Sequence, residues 1–297
     1  MRLSKKVTAL LMGATLLAAS LAGCAKDSRS EMPTTETTCP TETAAILPAR
    51  AERDGIQTVL AVSLNAFVLE TGGYRNGNQA DMLMLMVIDE SLGRVTALQV
   101  NPDTIVSFAP SGAQAAAEMP LGVVVSYGSG GSDSCLNLLK AVSNLLGGIK
   151  IDHYMIFPQG AIEIVSDAMG GLTVTVPEDF AEEHPEFTSG EQALLTGKQA
   201  EDFFGFRDPA DTSNQLHMAR QQQFVTALYM PFVAKMQEDD FLTKLTMKLG
   251  DRLSTDLALS QMVQLMEVMD ASELVETIEV LPSSSEGINR IIEKLFY

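Results

Sequence analysis

Continuous apolar runs alternate with amphipathic segments along most of this chain, from about residue 58 to the C-terminus. Runs of this kind, bounded by polar or turn-forming residues, are typical of buried strands. Since most of them lack an alternation of apolar and polar positions, we expect a sheet that is covered on both faces. The predicted strands are 58–62, 82–88, 95–100, 123–125, 153–157, 172–176 and 277–280.

Between these runs, apolar residues recur at the spacing of an α-helix, and Gly170 with Gly171 provide a helix stop. Alternation of strands and helices predicts an α/β fold, a three-layer α/β/α sandwich with a central mixed sheet. No change of composition and no internal repeat divides residues 51–297, which we interpret as a single domain. The predicted helices are 132–146, 161–169, 192–204, 216–237, 260–269 and 286–296.

The first 24 residues have the pattern of a secretory signal peptide. Arg2, Lys5 and Lys6 precede an apolar stretch at 7–17, and small residues lead to Cys24. These small residues match a lipobox, so residues 1–24 are predicted to be a lipoprotein signal peptide in which the sulfur of Cys24 receives the lipid. The alternative is an uncleaved membrane anchor. Either arrangement predicts a protein anchored at the extracytoplasmic face of a bacterial cell membrane.

Residues 25–50 are rich in Thr, Glu, Ser and Pro and have few bulky side chains. Such a segment cannot bury enough apolar surface to fold by itself. We therefore predict a disordered tether that separates the domain from the membrane.

The formal net charge is −18, and it becomes −21 once the cations Arg2, Lys5 and Lys6 are removed with the signal peptide. Nucleic acid is excluded as a partner, because its binding requires clustered Lys and Arg, and no basic stripe is present. An anionic ligand would need a local group of arginines or a metal ion against this background. Individual arginines are therefore the residues to locate.

The cysteines and histidines do not suggest a structural scaffold or a zinc site. Cys24 is assigned to lipid, which leaves Cys39 in the tether and Cys135 in the domain, so no disulfide framework is expected. The chain has neither Cys-x-x-Cys nor His-x-x-x-His spacing, which argues against zinc.

The stretch 197–224 resembles the arginine-bearing motif of the LytR-CpsA-Psr family, with Arg207 and the pair Arg220-Gln221 at matching positions. The resemblance covers most of the domain, because seven more segments are similar to family motifs or fall where the family's closing helix and strand occur. They are 80–85, 101–104, 126–131, 151–154, 165–174, 255–257 and 278–282.

Proteins of this family carry glycopolymers linked to polyprenyl pyrophosphate onto peptidoglycan, beside a membrane. The resemblance therefore implies a polyprenyl-phosphate-linked glycopolymer and peptidoglycan as partners, Mg²⁺ as cofactor and an apolar pocket for the lipid. Arginine suits the pyrophosphate because its planar fork binds two phosphate oxygens, and Mg²⁺ prefers oxygen ligands. The implied roles are Asp81 as metal ligand, Asp103, Arg207 and Arg220 as catalytic residues, and Arg207, Arg220, Gln221 and Arg75 as substrate-binding residues.

The chain departs from the family pattern at several charged positions. Each charge-assisted hydrogen bond contributes about 1.5–3 kcal/mol, so four missing arginines would weaken transition-state binding by on the order of 6 kcal/mol. Transfer with weakened activity, a non-catalytic accessory or regulatory lipoprotein that binds the lipid intermediate, and a structural envelope lipoprotein therefore remain alternatives. The departing residues are Asn65, Gln79, Pro102, Gly205, Asn214 and His217.

Two groups of methionines have two interpretations; they are Met82, Met84 and Met86, and Met262, Met266 and Met269. Thioether side chains fill irregular gaps in a core, and they also form deformable pockets for lipid chains. Core packing is the simpler interpretation, and the sequence does not separate the two.

Overall fold

A mixed sheet of six strands forms the centre of the described chain, in the order β10-β3-β2-β1-β6-β9. The computed structural model describes residues 54–66, 77–110, 114–158, 160–271 and 278–297. The strands are β1 (Ile56–Ala66), β2 (Asn78–Asp89), β3 (Arg94–Val100), β4 (Ile105–Phe108), β5 (Ala117–Pro120), β6 (His153–Phe157), β7 (Leu172–Thr175), β8 (Gln192–Leu195), β9 (Ser254–Thr255) and β10 (Glu279–Val280).

Strands β1, β2 and β3 form an antiparallel meander, and β6 and β10 join it in parallel to β1 and β3. Two hairpins, β4-β5 and β7-β8, lie outside this sheet. The helices are α1 (Ser132–Leu145), α2 (Ala161–Met169), α3 (Glu178–Glu183), α4 (Gly197–Gly205), α5 (Gln215–Met236), α6 (Phe241–Leu249), α7 (Leu259–Ala271) and α8 (Ser285–Phe296).

Both faces of the sheet are covered, and neighbouring residues of β1 and β2 point into different layers. Leu60 and Leu85 pack with residues of α1 and α8 on one face. On the other face, Met84 packs with phenylalanines of α4 and α5, and Val59 packs with residues of α7. The predicted α/β fold with helices on both sides of a central mixed sheet is confirmed.

Two predicted elements were wrong. Residues 123–125 lie in a 3₁₀ helix (Leu121–Ser126) instead of a strand, because a three-residue apolar run buries equally well in a helical turn. The predicted helix 192–204 is divided: Gln192–Leu195 pairs with Leu172–Thr175, and the helix begins only at Gly197, after the extended Thr196. The first half of this segment is a strand because it pairs with Leu172–Thr175, which lies earlier in the chain.

Several earlier predictions concern residues outside the described ranges. The signal peptide with Cys24, the tether at 25–50 and Arg75 are among them. Within the described ranges, no helix combines the length and the apolar character needed to cross a membrane.

Candidate functional site

Asp81 is a buried carboxylate near the start of β2, and a β-bulge sets its direction. Ser63 of β1 pairs with Met82, whereas the next residue, Leu64, pairs with Ala80, so Asp81 is the extra residue between them. In a regular strand it would point to the same face as Leu83, into the layer of α1. Bulges redirect side chains in this way, and Asp81 instead contacts residues of α5.

Nitrogen atoms of three side chains surround the carboxylate of Asp81. Arg207 Nε donates to Asp81 Oδ1 at 3.1 Å, and Gln221 Nε2 donates to Asp81 Oδ2 at 3.2 Å. His217 Nε2 lies 3.1 Å from Asp81 Oδ2. Asp81 is only 2% exposed, so its carboxylate has lost most of its contact with water. The neighbouring side chains compensate for that loss.

Arg207 joins Asp81 to a second carboxylate, Asp103. Its NH1 group donates to Asp103 Oδ2 at 3.4 Å, and the side chains of Arg207 and Asp103 are 35% and 42% exposed. The guanidinium therefore lies between a buried and an accessible carboxylate. We name Asp81, Asp103 and Arg207 the carboxylate–arginine cluster.

Two asparagines hold the turn of Asp103 against the start of α5. Asn101 Oδ1 accepts from the backbone N–H of Asp103 at 3.0 Å and from Asn214 Nδ2 at 3.3 Å. Asn101 Nδ2 donates to the carbonyl oxygen of Ser213 at 3.2 Å. Asn214 precedes α5 in the left-handed region, with φ of 61°, a conformation that Asn tolerates better than most residues. This contact positions Asp103 beside Arg207.

His217 is buried between a backbone carbonyl and Asp81. Its Nδ1 lies 2.6 Å from the carbonyl oxygen of Phe206. Because a carbonyl oxygen only accepts, Nδ1 carries a proton. In the neutral ring, Nε2 then accepts from Gln221 Nε2, which is 2.8 Å away; a second proton on the ring would be donated to Asp81.

Gln221 connects the cluster to the sheet. It is fully buried, and its Oε1 accepts from Gln99 Nε2 of β3 at 3.2 Å. Gln222 Nε2 in turn donates to Gln99 Oε1 at 2.7 Å. This chain of amide groups fixes the rotation of α5 relative to the sheet. The role of Gln221 as a substrate ligand stays a prediction.

Arg220 lies on the same helix, but its guanidinium is directed elsewhere. It pairs with Asp179 of α3 and donates to the carbonyl oxygen of Phe206, and only 2% of the residue is exposed. The central carbon of its guanidinium group, Cζ, lies 4.8 Å from the centre of the Phe206 ring. Burial lowers the pKa of Arg220, while Asp179 opposes that shift. The structure therefore brings together Asp81, Asp103 and Arg207, but not Arg220, whose role as a phosphate ligand stays a prediction.

The carboxylates of the cluster fit a hard cation only together with oxygen atoms from a ligand. No group of three or more His, Cys, Asp or Glu side chains is placed to hold a metal ion in the part of the chain that the structure describes. Mg²⁺ is commonly held by one or two carboxylates plus substrate phosphates, and Asp81 and Asp103 are two such carboxylates.

The apolar residues behind the cluster are closely packed. Met82 and Met84 are 6% and 2% exposed and pack with Phe203 and Phe224. Core packing is thus the interpretation that applies to these two methionines. Met262 is also buried, in a separate core group with residues of α7.

Comparison with family models gives a match to the LytR_cpsA_psr family over residues 53–293. No curated protein sequence matches the chain.

Several solved structures resemble the fold over most of its length. Protein gbs0355 from Streptococcus agalactiae is 17% identical with a TM-score of 0.64, covering 81% of this chain and 86% of that chain. TagT bound to LI-WTA is 16% identical with a TM-score of 0.62, covering 82% and 90%. TagV from B. subtilis is 18% identical with a TM-score of 0.61, covering 82% and 96%. At these identities the similarities show a shared fold.

Proposed function

The chain belongs to the LytR_cpsA_psr family, and we propose on that basis that it binds a glycopolymer linked to polyprenyl pyrophosphate and transfers it to peptidoglycan. Support comes from one structure of similar fold, TagT, which is bound to LI-WTA. The observation that carries the proposal is the carboxylate–arginine cluster, where an accessible guanidinium lies between two carboxylates.

Arg207 is the proposed ligand of the pyrophosphate. Its side chain is 35% exposed, and its two contacts to carboxylates use only Nε and NH1. The remaining N–H groups of the planar fork would donate to phosphate oxygens, and such charge-assisted pairs are stronger than neutral hydrogen bonds. Arg207 therefore supplies positive charge in a chain whose net charge is strongly negative.

The proposed reaction is a phosphoryl transfer. The hydroxyl oxygen of the acceptor attacks the phosphorus that bears the glycopolymer, the bond from that phosphorus to the polyprenyl phosphate breaks, and the hydroxyl proton passes to Asp103. Positioning and charge stabilisation provide most of the catalysis in such reactions. Asp81 would hold Mg²⁺ together with phosphate oxygens, and the cation would offset negative charge on the pyrophosphate.

Membrane attachment is part of the same proposal. Lipid on Cys24 would hold the domain at the extracytoplasmic face of the membrane, with residues 25–50 as a tether. The polyprenyl carrier lies in the same membrane, so enzyme and substrate would meet at its surface.

The test is a transfer assay with the full chain, a labelled glycopolymer on polyprenyl pyrophosphate, peptidoglycan and Mg²⁺. We expect label to become attached to peptidoglycan, and the Arg207→Ala variant to lose the activity. Arg290→Ala is the matched control, since Arg290 is a surface arginine whose side chain is 76% exposed and paired with Glu286. Transfer that is unchanged in Arg207→Ala would reject the role of this residue.

Binding without transfer is the second candidate, and the contacts of Arg220 favour it. The guanidinium of Arg220 is held by Asp179 and a backbone carbonyl, which leaves Arg207 to hold the pyrophosphate. A chain that binds the lipid-linked polymer but attaches no label to peptidoglycan would be an accessory or regulatory envelope lipoprotein.

A further inference from the structure

A cavity of about 430 Å³ lies at the opposite end of the sheet from Asp81. Gln57 on its wall pairs with Ile88, whereas Ser63, beside the bulge of Asp81, is six residues further along β1. At roughly 3.3 Å per residue, the two places are about 20 Å apart along the strand. The volume is within the range of small-ligand pockets, about 300–1,000 Å³. We call this cavity the distal pocket.

The polar lining of the distal pocket combines amides with carboxylates. Gln57, Gln261 and Gln264 contribute amide groups, and Glu90 and Asp152 contribute carboxylates. An amide group both donates and accepts hydrogen bonds, whereas an ionised carboxylate only accepts. A ligand that matches this lining must have several groups that donate, and some that also accept.

Hydrogen bonds fix several of these groups in place. Gln57 Nε2 donates to Glu90 Oε1 at 2.8 Å. Asp152 Oδ2 accepts from the backbone N–H of Thr58 at 3.0 Å. Although burial acts to raise the pKa of Asp152, hydrogen bonds from Lys150 and Thr58 lower it, so the group is ionised near neutral pH. The lining is therefore organised before a ligand enters.

His153 adds an acceptor to the lining. Its Nδ1 lies 3.1 Å from Asp256 Oδ2, so in the neutral ring Nδ1 carries the proton and Nε2 accepts. A hydroxyl group is the ligand group that suits an acceptor of this kind.

One wall of the distal pocket is apolar. Leu257, Leu265 and Val268 contribute to it, and the two leucines are each 6% exposed. This wall lies in the core group that α7 forms against the sheet. A ligand therefore needs a face of C–H groups as well as hydroxyl groups.

Two other classes of ligand, anions and metal ions, do not fit this lining. Glu90 and Asp152 repel phosphate and carboxylate groups, and the neighbouring cation, Lys150, is paired with Asp152 at 2.6 Å. A metal ion is disfavoured, because the described residues contain no group of three or more side chains placed to hold one.

We propose that the distal pocket binds an uncharged saccharide unit. A sugar ring presents hydroxyls that donate and accept together with a face of C–H groups, which matches the amides, the carboxylates and the leucine wall. This site is separate from the carboxylate–arginine cluster and does not depend on the function proposed for it.

The test is a titration of the isotope-labelled full chain, followed by NMR, with N-acetylglucosamine and with N-acetylglucosamine 6-phosphate. These two sugars differ only in the phosphate. We expect N-acetylglucosamine to shift signals of pocket residues. The phosphorylated sugar is expected to bind at least about tenfold more weakly. Failure of N-acetylglucosamine to bind, or equal binding of the phosphorylated sugar, would overturn the proposal.

Variants locate the binding. Gln264→Leu removes an exposed amide of the lining and is expected to weaken binding by about fivefold or more. Gln199→Leu makes the same change at an exposed position of α4 and should bind as the wild type does, as should Arg207→Ala. Wild-type affinity in Gln264→Leu would contradict the assignment, whereas a loss in Arg207→Ala would place the sugar at the other site.

Discussion

The guanidinium of Arg220 is almost fully buried, and Asp179 is its charged partner. The two side chains are 1% and 11% exposed, and the Nε of Arg220 has no hydrogen-bond partner among the described residues. Removing one partner of such a pair leaves an uncompensated buried charge. Asp179 is therefore expected to be essential for the packing of α3 against α5.

Replacing Asp179 by Ala should lower the free energy of unfolding by about 3–5 kcal/mol, because the charge of Arg220 then stays buried without a partner. Urea denaturation of the variant and the wild type measures this difference. Glu182→Ala, at an exposed position of the same helix, serves as the control and should change the free energy by less than about 0.5 kcal/mol. Equal effects of the two substitutions would show that the buried pair contributes nothing.

The sequence indicated part of the candidate site and missed the rest for a physical reason. Asp81, Asp103, Arg207 and Arg220 were predicted to lie together, and only the first three do. Asp179, within an acidic stretch, gave no signal, because its partner Arg220 is 41 residues away. Gln99 could have been recognised from the sequence, because it is a polar residue in an apolar strand. In the structure it is only 1% exposed.

Helix α5 carries His217, Arg220 and Gln221, so its first turn determines where these side chains lie. The carboxylate of Asp211 accepts from the backbone N–H groups of Gln215, Leu216 and His217, at distances from 2.7 to 3.3 Å. A carboxylate at a helix N-terminus satisfies free N–H groups and interacts favourably with the helix dipole. Asp211 therefore anchors the helix that holds Asp81.

The anchoring by Asp211 should depend on pH. Burial alone would raise its pKa, but hydrogen bonds from Ser213 and from the backbone of α5 outweigh burial and lower the pKa below the ordinary 3.8. Its ionised form thus contributes stability that is fully present above that pH and is lost as the pH falls through the lowered value.

Replacing Asp211 by Ala should lower the free energy of unfolding by about 1 kcal/mol at neutral pH, as measured by denaturation from about pH 7 to about pH 3. The difference from the wild type should shrink at the acidic end. Asp211→Asn keeps an oxygen acceptor without an ionisable group, so its loss should be smaller. A difference between wild type and Asp211→Ala that stays constant over the whole range would contradict the assignment.

Long periodic elements were predictable from sequence, whereas several short ones were not. Helix α8 and strand β2 follow from their own apolar patterns. The hairpins depend on partners instead: Gln192–Leu195 is a strand because Leu172–Thr175 lies beside it. The bulge at Asp81 likewise arises from the register between β1 and β2, which no single segment encodes.

The whole molecule carries a net charge of −18, which opposes the approach of an anionic substrate. Salt screens such long-range repulsion, with a Debye length of about 30 Å at 0.01 M and about 8 Å at 0.15 M. Contacts at the carboxylate–arginine cluster are much shorter than either length. Repulsion should therefore affect the association rate more than the bound state.

Association of the full chain with polyprenyl pyrophosphate should become faster as salt rises from about 0.01 M to about 0.15 M, because the repulsion is screened. Stopped-flow measurements at several salt concentrations test this, with uncharged polyprenol as the control whose rate should not change. A rate for the pyrophosphate that falls with salt would instead indicate attraction by the surface around the site.

The most direct test of the proposed function is the affinity of the full chain for polyprenyl pyrophosphate in the presence of Mg²⁺, measured by calorimetry for the wild type, Arg207→Ala and Arg290→Ala. Loss of a charge-assisted contact of about 1.5–3 kcal/mol predicts binding weaker by about tenfold to a hundredfold in Arg207→Ala, and unchanged binding in Arg290→Ala. Wild-type affinity in Arg207→Ala would show that the pyrophosphate does not bind at the carboxylate–arginine cluster.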